Sequence, residues 1–141
     1  MSMDDKAAVK EVNARFYEAL SAQDLGAMEA LWLHEPWVRC VHPGWDMLTG
    51  WQSIRKSWSN IFGNTAYLKI QAGKVSIHAS GEVAWVVCTE HIASAQDANY
   101  QTATALATNV YHKVGAAWLL VHHHASPVTV NTPVQTSESI Q

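Results

Sequence analysis

The chain has 141 residues, the length of one domain, with 48% apolar residues and a net charge of -3. That balance, with nine scattered Lys and Arg, excludes a nucleic-acid surface. No apolar run approaches the ~20 residues of a membrane-spanning helix, and MSMDDKAAVKEV lacks a secretory layout, so no membrane partner and a cytoplasmic location are expected.

In chain order, the first third reads as helices. Val9, Val12, Phe16 and Leu20 recur at helical spacing with charges between them, and Asp4 and Asp5 suit the positive helix start. Ser21 to Asp24 is a turn, and Asp24 can cap a second helix, LGAMEALWL, which Pro36 stops. WVRCVH is a short strand running into the turn PGWD. Thr49 and Gln52 form a T-x-x-Q capping box ahead of Trp51, Ile54, Trp58 and Ile61. A third helix is therefore predicted from about Gly50 to Phe62, closed by a left-handed Gly63 or Asn64.

The second half reads as strands. Leu68, Ile70 and Ala72 alternate with polar residues, as do Val75, Ile77 and Ala79, and Gly73 between them marks a bulge. Ser80-Gly81 is a hairpin signal. Three long strands follow, EVAWVVCTEHIASA, YQTATALATNVYHKV and AWLLVHHHASPV, separated by AQDAN and VGA. Helices followed by a strand meander predict an α+β fold, with the three helices on one face of a curved antiparallel sheet. Residues 1–128 form the single domain, and 129–141 a polar, flexible tail. Cys40 and Cys88 sit in apolar runs and are read as reduced.

Four features carry candidate chemistry. His42 ends a strand before Pro43-Gly44; it reads as an ordinary loop histidine or as a general base facing a cleft. In VHHHAS, strand parity places His122 and His124 on one face and His123 on the other. His122 and His124 can share a metal if His42, His91, Glu90 or Asp46 supplies a third ligand, but a hydrogen-bonded core or dimer surface is the favoured reading, with no metal and no cofactor. Glu90 shares a face with Val86 and Cys88; an edge position at the sheet rim is favoured over a buried one with raised pKa. Trp32, Trp51 and Trp58 read as core, whereas Trp45 lies in a turn and can lid a pocket or a subunit contact.

The segments VRCVHPGWDMLTGWQSIRKSW and WLLVHHHAS, with the order of elements around them, resemble the SnoaL-like branch of the nuclear-transport-factor-2-like superfamily over about Asp5 to Val128. The resemblance implies a cone: a curved, mostly antiparallel sheet holding three helices in its concave face around an apolar pocket, with homodimers formed through the outer sheet face. It also implies a residue-by-residue comparison with the ketosteroid isomerases of that superfamily. Their base falls at His42, their donor tyrosine at Phe16 with Tyr17 one place on, and their donor aspartate at Asn109. Phe16 cannot donate a hydrogen bond and Asn109 donates without a raised pKa, so steroid isomerisation itself is not expected.

Three readings follow. The first is an isomerase, cyclase, dehydratase or hydrolase acting on a small apolar molecule. In it His42 is the base, Asn109 the donor, and Phe16, Tyr17, Trp45, Trp58, Glu90, His122 and His124 contact the substrate. The second is a non-catalytic ligand-binding or dimeric association domain. The third, weaker, is a metal site on the histidine strand.

Overall fold

A computed structural model describes residues 3–129, and all but the first residue of the polar tail expected over 129–141 lies outside them. Helix α1 (Met3–Ala22) carries the predicted apolar stripe, with Val9, Phe16 and Leu20 buried. Its first turn holds Asp4 and Asp5, and Lys113 pairs with Asp5 at 2.9 Å. Asp24 caps α2 (Leu25–Leu31), its side chain accepting from the Ala27 N–H at 3.0 Å. Such a cap is worth about 1 kcal/mol.

Strand β1 (Arg39–Val41) leads into a short β2 (Leu48–Thr49) and then α3 (Trp51–Asn64). The predicted capping box is absent. Thr49 pairs with Arg39 in the sheet, and Gly50 takes the N-cap position with φ 89° and no side-chain cap bond. The expected left-handed C-cap is also absent: the helix includes Gly63 and Asn64 and ends on an extended Thr65.

Strands β3 (Tyr67–Ser80), β4 (Val83–Gln96), β5 (Asn99–Val114) and β6 (Ala117–Pro127) form the meander. The sheet order is β2-β1-β6-β5-β4-β3, antiparallel throughout except that β1 runs parallel to β6. The register shifts between Gly73 and Ser76, where the sequence marks a bulge. The fold is thus the α+β cone expected, with helices on the concave face of a curved sheet.

The sheet's inner face explains how helices fit inside it. Ala84, Ala105, Ala107 and Ala125 face inward and are buried. These short side chains leave space that Phe16, Tyr17 and Trp58 occupy from the helix side, giving one packed core.

A second register shift, between Val110 and Tyr111, sets the histidines. Tyr111 pairs with Leu120 and Val110 with His122, leaving Val121 as the extra residue of a bulge. Leu120 and Val121 are consequently both buried, and the alternation restarts one residue late.

Candidate functional site

The parity read from the sequence holds, with His123 opposing His122 and His124, but the bulge turns His123 inward and not the pair expected to contact the substrate. His123 points into the cone and is 2% exposed; His122 and His124 lie on the opposite face, half-buried and exposed respectively. Their rings are 6.2 Å apart, next to Arg39 and Thr108 in the ladder. They cannot line an interior pocket. Among the described residues no three His, Cys, Asp or Glu side chains gather as metal ligands, so the pair finds no third ligand there.

His42 is held by the turn that follows it. The Trp45 N–H donates to the His42 carbonyl at 2.9 Å, with Pro43 and Gly44 between them and Gly44 at φ 84°. This is the geometry of a type II turn, which favours proline second and needs positive φ third. The turn brings the half-exposed Trp45 back against His42, ring to ring at 4.8 Å and 75°. Trp58 packs on His42 at 4.5 Å and 79°. The imidazole is therefore enclosed rather than at an open mouth, 3% exposed, with Nε2 2.8 Å from the Ser57 hydroxyl. Burial lowers its pKa to about 4, so it is neutral at pH 7.

Behind it lies a network built from both ends of the chain. Asn109 donates to Asn13 Oδ1 at 3.0 Å and to the Tyr17 hydroxyl at 3.1 Å, and its Oδ1 lies 2.5 Å from His123 Nδ1. Tyr17 donates to Glu90 Oε2 at 2.7 Å, and Tyr111 donates to Asn13 at 2.8 Å. Asn13, Glu90, Asn109 and His123 are all buried. Glu90 is thus not a rim charge. Burial raises its pKa, partly opposed by the Tyr17 hydrogen bond. His123 is held well below the ordinary histidine value, first by burial and then by His42, His122 and His124.

The structure brings His42, Trp45, Trp58, Phe16, Tyr17, Glu90 and Asn109 into one connected cluster. Phe16 lies 6.0 Å from Trp58 and 5.0 Å from His123, ring to ring. It does not bring in His122 and His124. Sequence reasoning passed over Asn13, Ser57, Tyr111 and His123 as members. A signal exists for two of them: Asn13 follows Val9 by four, and Ser57 follows Ile54 by three, so each interrupts a buried helical stripe with a polar group. Cys40 and Cys88 are free and buried, as read from sequence. Nearby, a groove of about 420 Å³ between α1 and β3 is lined by Tyr17, Leu68 and Ile70.

Residues 9–130 match the model of the SnoaL-like domain, and the chain belongs to that family. It is similar, at 34% identity and TM-score 0.85 over 90% of this chain and 98% of the other, to a Streptomyces avermitilis protein described as a candidate dehydratase of the NTF2-like family. A second solved structure, from Thiobacillus denitrificans, is described as a candidate calcium/calmodulin-dependent protein kinase type II association domain. It shares 28% identity at TM-score 0.75, over 85% of this chain and 94% of that one. Among curated proteins, F-box protein SKIP8 of Arabidopsis thaliana is 27% identical over 88% of this chain. The chain spans about half, 51%, of that relative's length.

Proposed function

We propose that this SnoaL-like protein binds a small apolar molecule inside its cone and acts on it by acid–base chemistry, with His42 as the base. One observation carries the reading: a neutral imidazole and a raised-pKa carboxyl, Glu90, are buried in the same aromatic interior. Buried titratable groups with displaced pKa values in one interior are what proton-transfer sites require. His42 accepts a proton from an acidic C–H. Glu90 supplies the polar end of the site, held by the Tyr17 hydroxyl, which Asn109 braces in turn with its amide hydrogens committed to Asn13 and Tyr17, and Phe16, Trp45 and Trp58 are its walls. Phe16 has no hydroxyl, and the Tyr17 hydroxyl is committed to Glu90, so a steroid-isomerase oxyanion hole is not the device here. Removal of a proton followed by loss of a leaving group, a dehydration, fits a base together with a carboxyl whose pKa burial raises. The similarity to the Streptomyces avermitilis protein supports this choice.

The test is a panel of cyclic ketones and β-hydroxyketones in deuterated buffer, followed by NMR for deuterium uptake at the α-carbon and for loss of water. Uptake by the native protein that His42→Gln removes supports the reading. If no member exchanges or raises the melting temperature, the reading is wrong.

The second reading is an association domain, alone or combined with the first. Val83, Trp85, Val87 and Leu106 are exposed on the outer face of the sheet. That apolar surface suits a homodimer formed sheet to sheet, and the likeness to the Thiobacillus denitrificans association domain points the same way.

A further inference from the structure

Ser57 and Trp58 are adjacent buried positions of α3, and both reach His42. The Trp58 ring packs against the imidazole at 4.5 Å, and the Ser57 oxygen lies 2.8 Å from Nε2. Ser57 has one hydroxyl proton, and it goes to the Ile54 carbonyl three residues back, at 2.7 Å. The oxygen beside Nε2 is left to accept. His42 therefore carries its proton on Nε2 and its lone pair on Nδ1.

The other polar contact of this ring agrees. Among the described residues it is the Cys40 thiol, 3.9 Å from Nδ1 and 3.8 Å from Nε2. Burial, and then Glu90, raises the pKa of that thiol, so Cys40 keeps its proton at neutral pH. It can offer that proton only to the nitrogen that has none. A thiol is a weak donor, so Nδ1 stays basic.

His123 is held the other way. Asn109 gives both amide hydrogens, to Asn13 and Tyr17, so its Oδ1 accepts and His123 donates from Nδ1. Two buried imidazoles of one interior are thus fixed in opposite tautomers by different partners. For a base this choice matters, because a nitrogen that already carries a proton cannot take one.

We propose that Ser57 is the positioning residue of the His42 base: by accepting from Nε2–H it assigns proton abstraction to Nδ1. The inference rests on His42 acting as a base, and it adds the atom that does so and the residue that selects it. In the step, the substrate C–H proton goes to Nδ1 and the electron pair of that bond stays on carbon. The imidazolium that forms keeps its Nε2–H on the Ser57 oxygen, whose own proton remains on the Ile54 carbonyl. The hydroxyl thus turns a neutral ring into a one-sided base and faces the positive charge when it appears.

Imidazole 15N spectra of the full chain at pH 7 test this. His42, with its pKa of about 4, is neutral there, and His42→Gln identifies its signals. The native protein should show His42 protonated on Nε2 and His123 on Nδ1. Ser57→Ala should move His42 toward the Nδ1–H form and leave His123 as it was. Ser57→Thr keeps the hydroxyl and should keep the native tautomer. In the deuterium-uptake assay Ser57→Ala should lose roughly tenfold or more in kcat with KM little changed, and Ser57→Thr should recover most of that loss. His42 protonated on Nδ1 in the native protein overturns the inference, and that reading needs no variant. An unchanged His42 tautomer in folded Ser57→Ala overturns it as well. The expected tautomers in a protein that exchanges no substrate proton overturn the base, and the role of Ser57 with it. Exchange by a protein whose His42 tautomer is reversed keeps the base and overturns Ser57 alone.

Discussion

The Tyr17 hydroxyl donates to Glu90 Oε2 across 2.7 Å, tying helix α1 to strand β4 through two buried side chains 73 positions apart. Burial raises the pKa of both groups. A carboxyl with a raised folded pKa holds its proton more tightly in the folded state than in the unfolded one. Its contribution is full below the ordinary carboxyl value and is lost as pH rises through the folded value. Glu90→Gln keeps a carbonyl acceptor for Tyr17 and removes that loss. Urea midpoints measured from pH 5 to 9 should fall with pH in the native protein more than in Glu90→Gln.

His42 works in the opposite direction. Its folded pKa of about 4 lies below the ordinary histidine value of 6.5, so the unfolded chain takes up the proton first. Its contribution is complete above 6.5 and disappears between 6.5 and 4. At about 1.4 kcal/mol per unit the window is worth roughly 3 kcal/mol. His123, held well below its ordinary value, adds to the same slope. His42→Phe should flatten the acid limb of the stability profile, measured by denaturant titration at half-unit pH steps.

Asn109 is the hub of the buried network, donating to two partners and accepting from a third. Asn109→Ala leaves His123, Tyr17 and Asn13 each short of a partner, a loss of about 3 kcal/mol or more. Asn13→Ala removes the acceptor shared with Tyr111 and should cost less, about 2 kcal/mol. Because the two residues share a bond, the double variant should lose less than the two single losses added together, a cycle read by guanidinium unfolding.

The outer face gives a prediction about assembly. Trp85 is exposed between Val83 and Val87, beside His78, whose ring lies 4.5 Å away. If this face pairs two copies, Trp85→Glu places a charge in the contact and should give a monomer in sedimentation velocity while the melting temperature at low concentration changes little. An unchanged sedimentation coefficient, already that of a monomer in the native protein, would remove the sheet-face dimer.

How far the sequence could be read depended on the range of the forces involved. Local pattern carried the fold: the stripe Val9, Phe16, Leu20, the Asp24 cap and the bulge near Gly73 all arise within a few residues of themselves. The site was harder because its partners are remote. Glu90 looks like a rim charge until Tyr17 is seen to satisfy it from the other end of the chain. Thr49 looks like a cap until its backbone is drawn into pairing with Arg39. Asn13 and Ser57 were visible as polar breaks in apolar stripes, a signal that becomes meaningful only when the facing strand is known.

The bulge at Val121 acts on β6 as a frameshift acts on a reading frame. Everything after it is displaced by one face, so a run of three identical residues yields one interior group and two exterior ones. Tolerance to change should therefore be uneven across it. His122 and His124 should accept most side chains, and His123 few. Replacing Val121 by alanine trims the core, but deleting it reverses the facing of every residue from 122 to 126. That deletion would place Ala125 outside and bring His124 and Ser126 inward, so the shortest edit in the strand should be among the least tolerated in the molecule.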